Sequence, residues 1–238
     1  MEQSKIGAIY VATGKKEQLQ EAIRSVNLLR HHNRNLKTAI VTEMEVEAKS
    51  FDYIIPPKYL ELNGTMASKI QALELSPFKI TLILDNDTLV VDNIMAGFNF
   101  VKRGKRDIAI SIADKQEMPN DSGITKFQNG LMFIWKCERV LDLFRKWQEL
   151  VINNNPNSPT RFIFSKLLAD FSEISIYPLS YFWNLRIDLI QDLSIVPLKK
   201  IIPKVRIFHS HLKRPKAIEI FKMHPRWKEI CKVGEIEL

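Results

Sequence analysis

The chain has few cysteines and no long hydrophobic run. Its two cysteines, Cys137 and Cys231, lie far apart in the 238-residue sequence and form no Cys-x-x-Cys pair. That spacing excludes a disulfide framework and a zinc finger. The apolar run near the N-terminus is too short for a signal peptide, and no run approaches the roughly 18 residues of a membrane-spanning helix. These absences predict a soluble, cytoplasmic protein whose thiols stay reduced.

Residues 1–198 have almost no net charge. Residues 199–238 contain eleven Lys and Arg residues against four Glu residues, which accounts for +7 of the chain's total of +8. A basic segment of this kind suits an anionic small molecule, an anionic membrane surface or nucleic acid. It contains no recognisable nucleic-acid-reading motif, so we expect no specific nucleic-acid partner.

The basic segment also contains apolar residues at helical spacing. Ile218, Phe221 and Trp227 stand among its lysines, which suits an amphipathic helix in peripheral contact with the inner face of a membrane. Packing of the same residues against the rest of the protein is the alternative.

Strand and helix patterns alternate along the first 150 residues. Short apolar runs predict strands at residues 6–13, 37–42, 53–55, 80–84, 107–112 and 131–135. Apolar residues at helical spacing predict helices at residues 16–31, 65–75, 138–152 and 161–170. A last strand is expected at residues 205–208. This alternation predicts an α/β fold with a mostly parallel sheet flanked by helices, in a single domain.

One strand is followed at once by two carboxylates. Asp85 and Asp87 come directly after the apolar run TLIL, separated by Asn86. In extended backbone, residues two apart point to the same side, and the carboxyl ends of parallel strands border the crevice where α/β sheets bind ligands. Two adjacent carboxylates repel each other unless a cation lies between them, so the pattern suggests a divalent metal bridging to a diphosphate. The alternative is a strand-ending turn, which Asp and Asn also favour.

The stretch KIQALELSPFKITLILDNDTLVVDNI resembles the GT-A glycosyltransferases, with a pattern similar to glycogenin. In that family a helix with a basic residue precedes a Ser/Thr-Pro-Phe turn, an apolar strand and an Asp-x-Asp followed by Thr. Three more stretches agree in order: AIYVATGKKEQLQEAIRSVNLLR, KFQNGLMFIW and RIFHSHLKRP. The resemblance covers roughly residues 5–216.

The resemblance implies a GT-A, Rossmann-like catalytic domain over residues 1–215, followed by a basic C-terminal extension over residues 216–238. It implies a metal-dependent glycosyltransferase that moves a sugar from a nucleotide-diphosphosugar, most simply a UDP-sugar, to an acceptor. The acceptor is left open among a glycan, a lipid-linked molecule and a protein. A nucleotidyltransferase and a non-enzymatic protein that binds nucleotide-sugars or nucleic acid are the alternatives. The loop VATGKKEQ has one glycine, whereas a nucleotidyltransferase needs a Gly-rich loop there.

The same resemblance assigns the metal site. Asp87 would be the main metal carboxylate, and Asp85 would share the metal and reach the ribose or the sugar. His209 would be the third ligand, with His211 as its competitor. Two carboxylates and one imidazole suit Mn²⁺, with Mg²⁺ as the alternative.

The remaining implied residues would bind the nucleotide-sugar. Ala12 and Thr13 would contact the base, and Lys213 or Arg214 would bind the leaving diphosphate. Gln128 and Asn129 would lie on the sugar side. Further contacts with the donor would come from Lys69, Asn184 and Arg186.

Two departures from the family pattern concern the sugar side. The family's Phe-Asn-Ser-Gly is Phe-Gln-Asn-Gly here, which changes the reach of its polar groups. The family's acidic segment before the next helix corresponds to residues 159–164, which contain no carboxylate. The resemblance therefore names no nucleophile.

Overall fold

A computed structural model describes residues 5–62, 64–65, 67–104, 106–113, 127–154, 160–190 and 198–238. The strands are β1 (Ile6–Val11), β2 (Lys37–Val41), β3 (Tyr53–Ile55), β4 (Ile80–Leu84), β5 (Thr88–Val90), β6 (Ile108–Ile112), β7 (Phe127–Trp135), β8 (Ile176–Leu179), β9 (Leu185–Arg186) and β10 (Ile207–His209). The helices are α1 (Lys16–His32), α2 (Ala72–Leu75), α3 (Met95–Gly104), α4 (Glu138–Asn154), α5 (Thr160–Asp170), α6 (Leu198–Ile201), α7 (Pro215–Lys222) and α8 (Trp227–Val233). None of the described helices is long and apolar enough to cross a bilayer.

The main sheet has seven strands in the order β3-β2-β1-β4-β7-β6-β8. Strand β7 runs antiparallel to both of its neighbours, and the other pairs in this sheet are parallel. Both faces are buried, because alternate residues of β1 belong to two different hydrophobic clusters: Tyr10 faces one and Ile9 the other. The predicted α/β fold with a mostly parallel, helix-flanked sheet in a single domain is confirmed.

Helix α1 follows the predicted pattern closely. Leu19, Val26 and Leu29 lie on its buried face against the sheet. The helix expected at residues 65–75 is shorter in the structure: a 3₁₀ turn at Ser68–Gln71 leads into the single-turn helix α2. Ser76 and Pro77 end that helix, since the residue before a proline disfavours the helical region.

A second, three-stranded sheet lies beside the carboxyl end of β4, in the order β5-β10-β9. Strand β10 pairs antiparallel with β5 and parallel with β9. Because only three residues separate β4 from β5, this small sheet is attached directly to the Asp-x-Asp segment. The sequence pattern did not predict β5, β8, β9 or α3.

The basic C-terminal segment packs against the rest of the protein. Ala217, Ile220, Phe221 and Ile230 are buried in the same hydrophobic cluster as β1 and α1. The ring of Phe221 lies 5.5 Å from that of Phe208, edge to face. Phe221 is therefore not available at the surface for a membrane.

Gly7 in β1 allows the ring of Phe78 to lie against the strand. A Cβ at Gly7 would lie 2.4 Å from two ring atoms of Phe78, and Phe78 is fully buried. The Ser-Pro-Phe turn thus places the Phe78 ring against Gly7, the glycine of β1, where any larger residue would overlap the ring.

We expect Gly7→Ala to lower the free energy of unfolding by ~1–3 kcal/mol through overpacking, measured by denaturant titration. Adding Phe78→Leu should remove the overlap, so the double variant should lose less than the sum of the two single losses. Additive losses would contradict this account of the Gly7–Phe78 contact.

Candidate functional site

A cavity of about 410 Å³ opens at the carboxyl ends of β1 and β4. Val11 and Leu84, the last residues of those two strands, form part of its wall. The polar lining comes from α1, the Asp-x-Asp segment, β7, β9 and the end of β10. The cavity therefore lies where a parallel sheet is expected to bind its ligand.

The Asp-x-Asp segment is a turn between β4 and β5 rather than an extension of the strand. The hydroxyl of Thr88 donates to the backbone oxygen of Asp85 at 2.7 Å, which closes the turn. Asn86, between the two carboxylates, donates from Nδ2 to the backbone oxygen of Val11 at 2.8 Å. The two carboxylates converge as expected, but turn geometry rather than strand alternation brings them together.

His209 reaches these carboxylates because β10 pairs with β5. In that pairing His209 lies opposite Thr88, and the backbone N–H of Ser210 donates to the backbone oxygen of Asp87 at 2.9 Å. The Nε2 atom of His209 is then 3.1 Å from Asp87 Oδ1 and 3.6 Å from Asp85 Oδ2.

Asp85, Asp87 and His209 fit a divalent cation. Their ligand atoms all lie within 4.8 Å of one another. An octahedral ion with bonds of about 2.1 Å places its ligand atoms roughly 3–4 Å apart. Two carboxylates and one imidazole are also a suitable donor set for Mn²⁺ or Mg²⁺. The predicted metal residues are thus brought together, with His209 nearer to both carboxylates than His211 is.

Asn184 orients the His209 ring. His209 Nδ1 lies 3.2 Å from Asn184 Oδ1. A carbonyl oxygen can only accept, so Nδ1 donates and Nε2 is the ring nitrogen turned toward the carboxylates. Asn184 is fully buried and does not line the cavity, so it contacts the His209 ring from behind and its predicted contact with the donor stays a prediction.

Glu21, which the sequence patterns did not single out, holds the second histidine. His211 Nδ1 lies 2.6 Å from Glu21 Oε1, and its Nε2 lies 3.5 Å from Asp87 Oδ2. The hydrogen bond with Glu21 raises the pKa of His211 above its ordinary value. Glu21 lies in α1 two residues after the buried Leu19, and only its place in the folded helix brings it to the cavity.

Positive charge surrounds Asp87. Burial opposes ionisation of this carboxyl, but the nearby His209, His211 and Arg186 outweigh it and hold the pKa of Asp87 below its ordinary value. Asp87 is therefore ionised at neutral pH and able to bind a cation.

Lys69 and Asn129 form the opposite side of the cavity. The ammonium group of Lys69 contacts Asp85 Oδ1 at 2.9 Å and Asn129 Oδ1 at 3.1 Å. Asn129 Nδ2 donates to the hydroxyl of Thr160 at 3.2 Å. Thr160, the first residue of α5, thus lies in the cavity wall in the segment where the family pattern has its acidic residues. Gln128 is buried and does not line the cavity.

Four other predicted site residues lie outside the cavity lining. Ala12 and Thr13 are fully buried just after β1, and Thr13 Oγ1 accepts from the backbone N–H of Gly64 at 3.2 Å. Lys213 and Arg214 are exposed, and Arg214 Nη1 donates to the backbone oxygen of Asp188 at 3.0 Å. Their roles remain predictions.

A chain of buried hydroxyls supports the Asp-x-Asp turn. Tyr10 and Ser25 are 3.0 Å apart, and Ser25 and Thr88 are 2.9 Å apart. The Thr88 proton goes to the backbone oxygen of Asp85, so Thr88 accepts from Ser25, and Ser25 accepts from Tyr10. Burial raises the pKa of Tyr10 far above its ordinary value, which keeps this first donor protonated. The turn is thus anchored to both β1 and α1.

Gly130 is required for the approach of His209 to Asp85. A Cβ at Gly130 would lie 2.5 Å from His209 Cε1 and 2.8 Å from Asp85 Oδ2. We expect Gly130→Ala to displace the ligands and weaken Mn²⁺ binding by about 10- to 100-fold, measured by titration of the purified protein with Mn²⁺.

Gly234→Ala is the matched control for this variant. Its added methyl would meet nothing closer than 3.1 Å, so Mn²⁺ binding should stay at the wild-type level. Wild-type Mn²⁺ affinity in Gly130→Ala would show that the Asp85, Asp87 and His209 group is not the metal site.

Ser25→Ala interrupts the hydroxyl chain at its middle. It leaves Tyr10 without its acceptor and Thr88 without its donor, so we expect a loss of ~1–3 kcal/mol in the free energy of unfolding. Adding Tyr10→Phe should cost little more, because the partner of that hydroxyl is already gone. Urea titration of the two single variants and the double variant measures this, and full additivity would rule out a connected chain.

Several solved glycosyltransferases have structures similar to this chain. The galactosyltransferase LgtC, solved in complex with donor and acceptor sugar analogs, matches at 13% identity with a TM-score of 0.62 over 96% of this chain and 95% of that one. GlyE of Streptococcus pneumoniae TIGR4 matches at 14% identity with a TM-score of 0.64 over 98% of this chain, which spans 63% of that chain. Mouse xyloside xylosyltransferase 1 matches at 14% identity with a TM-score of 0.56, covering 88% of this chain and 99% of that one.

No protein-family model and no curated protein matches the sequence. The similarity to solved structures is therefore a similarity of fold at low sequence identity. On the strand order, the helix-covered sheet and these matches, the chain has the GT-A fold of nucleotide-sugar glycosyltransferases.

Proposed function

We propose that this protein is a metal-dependent glycosyltransferase that moves a sugar from a nucleotide-diphosphosugar, a UDP-sugar, to an acceptor. The observation that supports this most directly is the convergence of Asp85, Asp87 and His209 in a cavity at the carboxyl ends of β1 and β4. The GT-A fold, which this chain shares with solved glycosyltransferases, supports a nucleotide-sugar as the ligand of that cavity.

The chemistry requires positive charge at the diphosphate. When the bond between the sugar and the diphosphate breaks, negative charge develops on the leaving group, and preorganised cations stabilise it. A bound Mn²⁺ or Mg²⁺ would supply part of that charge. Asp87 and His209 would hold the ion, and Asp85 would share it while staying in contact with Lys69.

The sugar would lie between the metal residues and the wall formed by Lys69, Asn129 and Thr160. The Lys69 ammonium and the Asn129 amide are already fixed by hydrogen bonds, so they would orient sugar hydroxyls without losing side-chain freedom on binding. Gln128, next to Asn129 in β7, is buried and would support this wall from the side away from the sugar.

The nucleotide and the diphosphate would take the remaining predicted residues. Ala12 and Thr13 would lie beside the base at the end of β1, and their burial provides a rigid backbone for that contact. Lys213 and Arg214 would reach the leaving diphosphate only if the segment after His211 moved toward the cavity. The acceptor would be a glycan, a lipid-linked molecule or a protein.

Titration of UDP into the purified protein, with and without Mn²⁺, tests the proposal. We expect binding that depends on Mn²⁺ and that Asp87→Asn weakens by at least about 10-fold, because the variant removes the charge of a metal ligand and keeps its shape. Asp170→Asn, at an exposed aspartate ending α5, should bind as the wild type does.

The outcomes separate the competing readings. Mn²⁺-dependent binding lost in Asp87→Asn, followed by release of UDP from UDP-sugars, supports a glycosyltransferase. Binding of nucleoside triphosphates in preference to UDP would favour a nucleotidyltransferase. If no nucleoside diphosphate binds with Mn²⁺, the Asp-x-Asp segment is a structural turn and the proposal is wrong.

A further inference from the structure

Arg186 is a cation in the cavity that the described structure leaves without a partner. It lies in β9, directly opposite His209 of β10 in the parallel pairing, and it lines the cavity. Its Nε atom is buried without a hydrogen-bond acceptor. No ion pair joins its guanidinium to a carboxylate of the described residues.

Other half-buried arginines among the described residues have an acceptor. Arg30 binds Asp52, Arg206 binds Asp92, and Arg24 donates from Nε to the backbone oxygen of Gly234. A partly buried guanidinium without an anion loses hydration without compensation. Arg186 is therefore a charge that the described residues leave without a compensating anion.

Arg186 lines the same cavity as Asp87, yet the two side chains form no ion pair. Lys69, the other Lys or Arg of the described lining, is already bound to Asp85. Among the described lining residues, Arg186 is therefore the permanent cation that has no carboxylate partner and can take an anion beside Asp85 and Asp87.

We propose that Arg186 binds the diphosphate of the nucleotide-sugar and stabilises the charge that develops on it, an inference that rests on the proposed function. The planar guanidinium offers paired donors that match two phosphate oxygens. The pairing with His209 places it next to the cluster of Asp85 and Asp87, where a metal-bound diphosphate must lie. Lys213 and Arg214 do not line the cavity, and Arg214 is bound to the backbone oxygen of Asp188.

A carboxylate on the transferred sugar could also satisfy Arg186. The position beside the metal residues favours the diphosphate, because a metal bound there would bridge to phosphate oxygens before it reached a distant part of the sugar. UDP, UDP-glucose and UDP-glucuronate separate the two anions, since all three contain the diphosphate and only the last contains a sugar carboxylate.

The experiment is titration of these three nucleotides, with Mn²⁺ present, into wild type, Arg186→Gln and Arg186→Lys. We expect Arg186→Gln to weaken all three by a similar factor of about 10- to 100-fold, the range for a charged hydrogen-bonded pair. Arg186→Lys keeps the charge but not the paired donors, so its affinity for each nucleotide should lie between those of the wild type and Arg186→Gln. Arg34→Gln, at an exposed arginine outside the cavity lining, is the control for loss of charge and should match the wild type.

Two further measurements distinguish binding from folding. Titration with Mn²⁺ alone should give wild-type or tighter affinity in Arg186→Gln, because Arg186 is not a metal ligand and its positive charge repels a cation at Asp87. The melting temperature should stay level or rise, because the substitution removes a buried charge without a partner. A lower melting temperature together with weaker Mn²⁺ binding would show a structural role and overturn the proposal.

The remaining outcomes are also decisive. Unchanged UDP affinity in Arg186→Gln, with the wild type binding UDP, would overturn the role of Arg186 and leave the proposed function standing. A loss confined to UDP-glucuronate would assign Arg186 to a sugar carboxylate instead of the diphosphate. If the wild type binds no nucleoside diphosphate with Mn²⁺, the proposed function fails and the role of Arg186 fails with it.

Discussion

The carboxylates of Asp85 and Asp87 are held close together with little access to water, and their mutual repulsion constrains everything around them. Each neighbouring element brings positive charge or a donor to this point. Lys69 comes from the 3₁₀ turn before α2, His209 from the end of β10, and Arg186 from β9. Lys69, His209 and Arg186 line the cavity themselves. A divalent cation bound there would offset the remaining negative charge of the two carboxylates.

The small three-stranded sheet makes this arrangement rigid. Because β5 follows the Asp-x-Asp turn directly, its pairing with β10 fixes the distance from Asp87 to His209 through the backbone. Behind it, hydroxyls of Tyr10, Ser25 and Thr88 connect the turn to β1 and α1. A metal site whose ligands must stay within about 0.5 Å of their productive positions is better built on paired strands than on a free loop.

The cavity wall formed by Lys69, Asn129 and Thr160, where we propose that the sugar lies, differs from the family pattern. Where that pattern has an acidic segment, Thr160 begins α5 in this chain and hydrogen-bonds to Asn129. The carboxylates among the described lining residues are Glu21, Asp85 and Asp87. Two of these belong to the candidate metal site with His209, and Glu21 is bound to His211, so the described lining contains no further carboxylate beside the proposed sugar position.

Local sequence patterns determined the strands and helices that bury regular faces, the mostly parallel sheet, and the place of Asp85 and Asp87 at its carboxyl edge. These follow from periods of two and 3.6 residues and from turn chemistry, which act over a few neighbours. Tertiary structure alone decided that β10 pairs with β5, that Glu21 meets His211, and that Arg186 lines the cavity without a carboxylate partner among the described residues. Such contacts join residues distant in the chain, and only the packing of the whole core selects which distant strands pair.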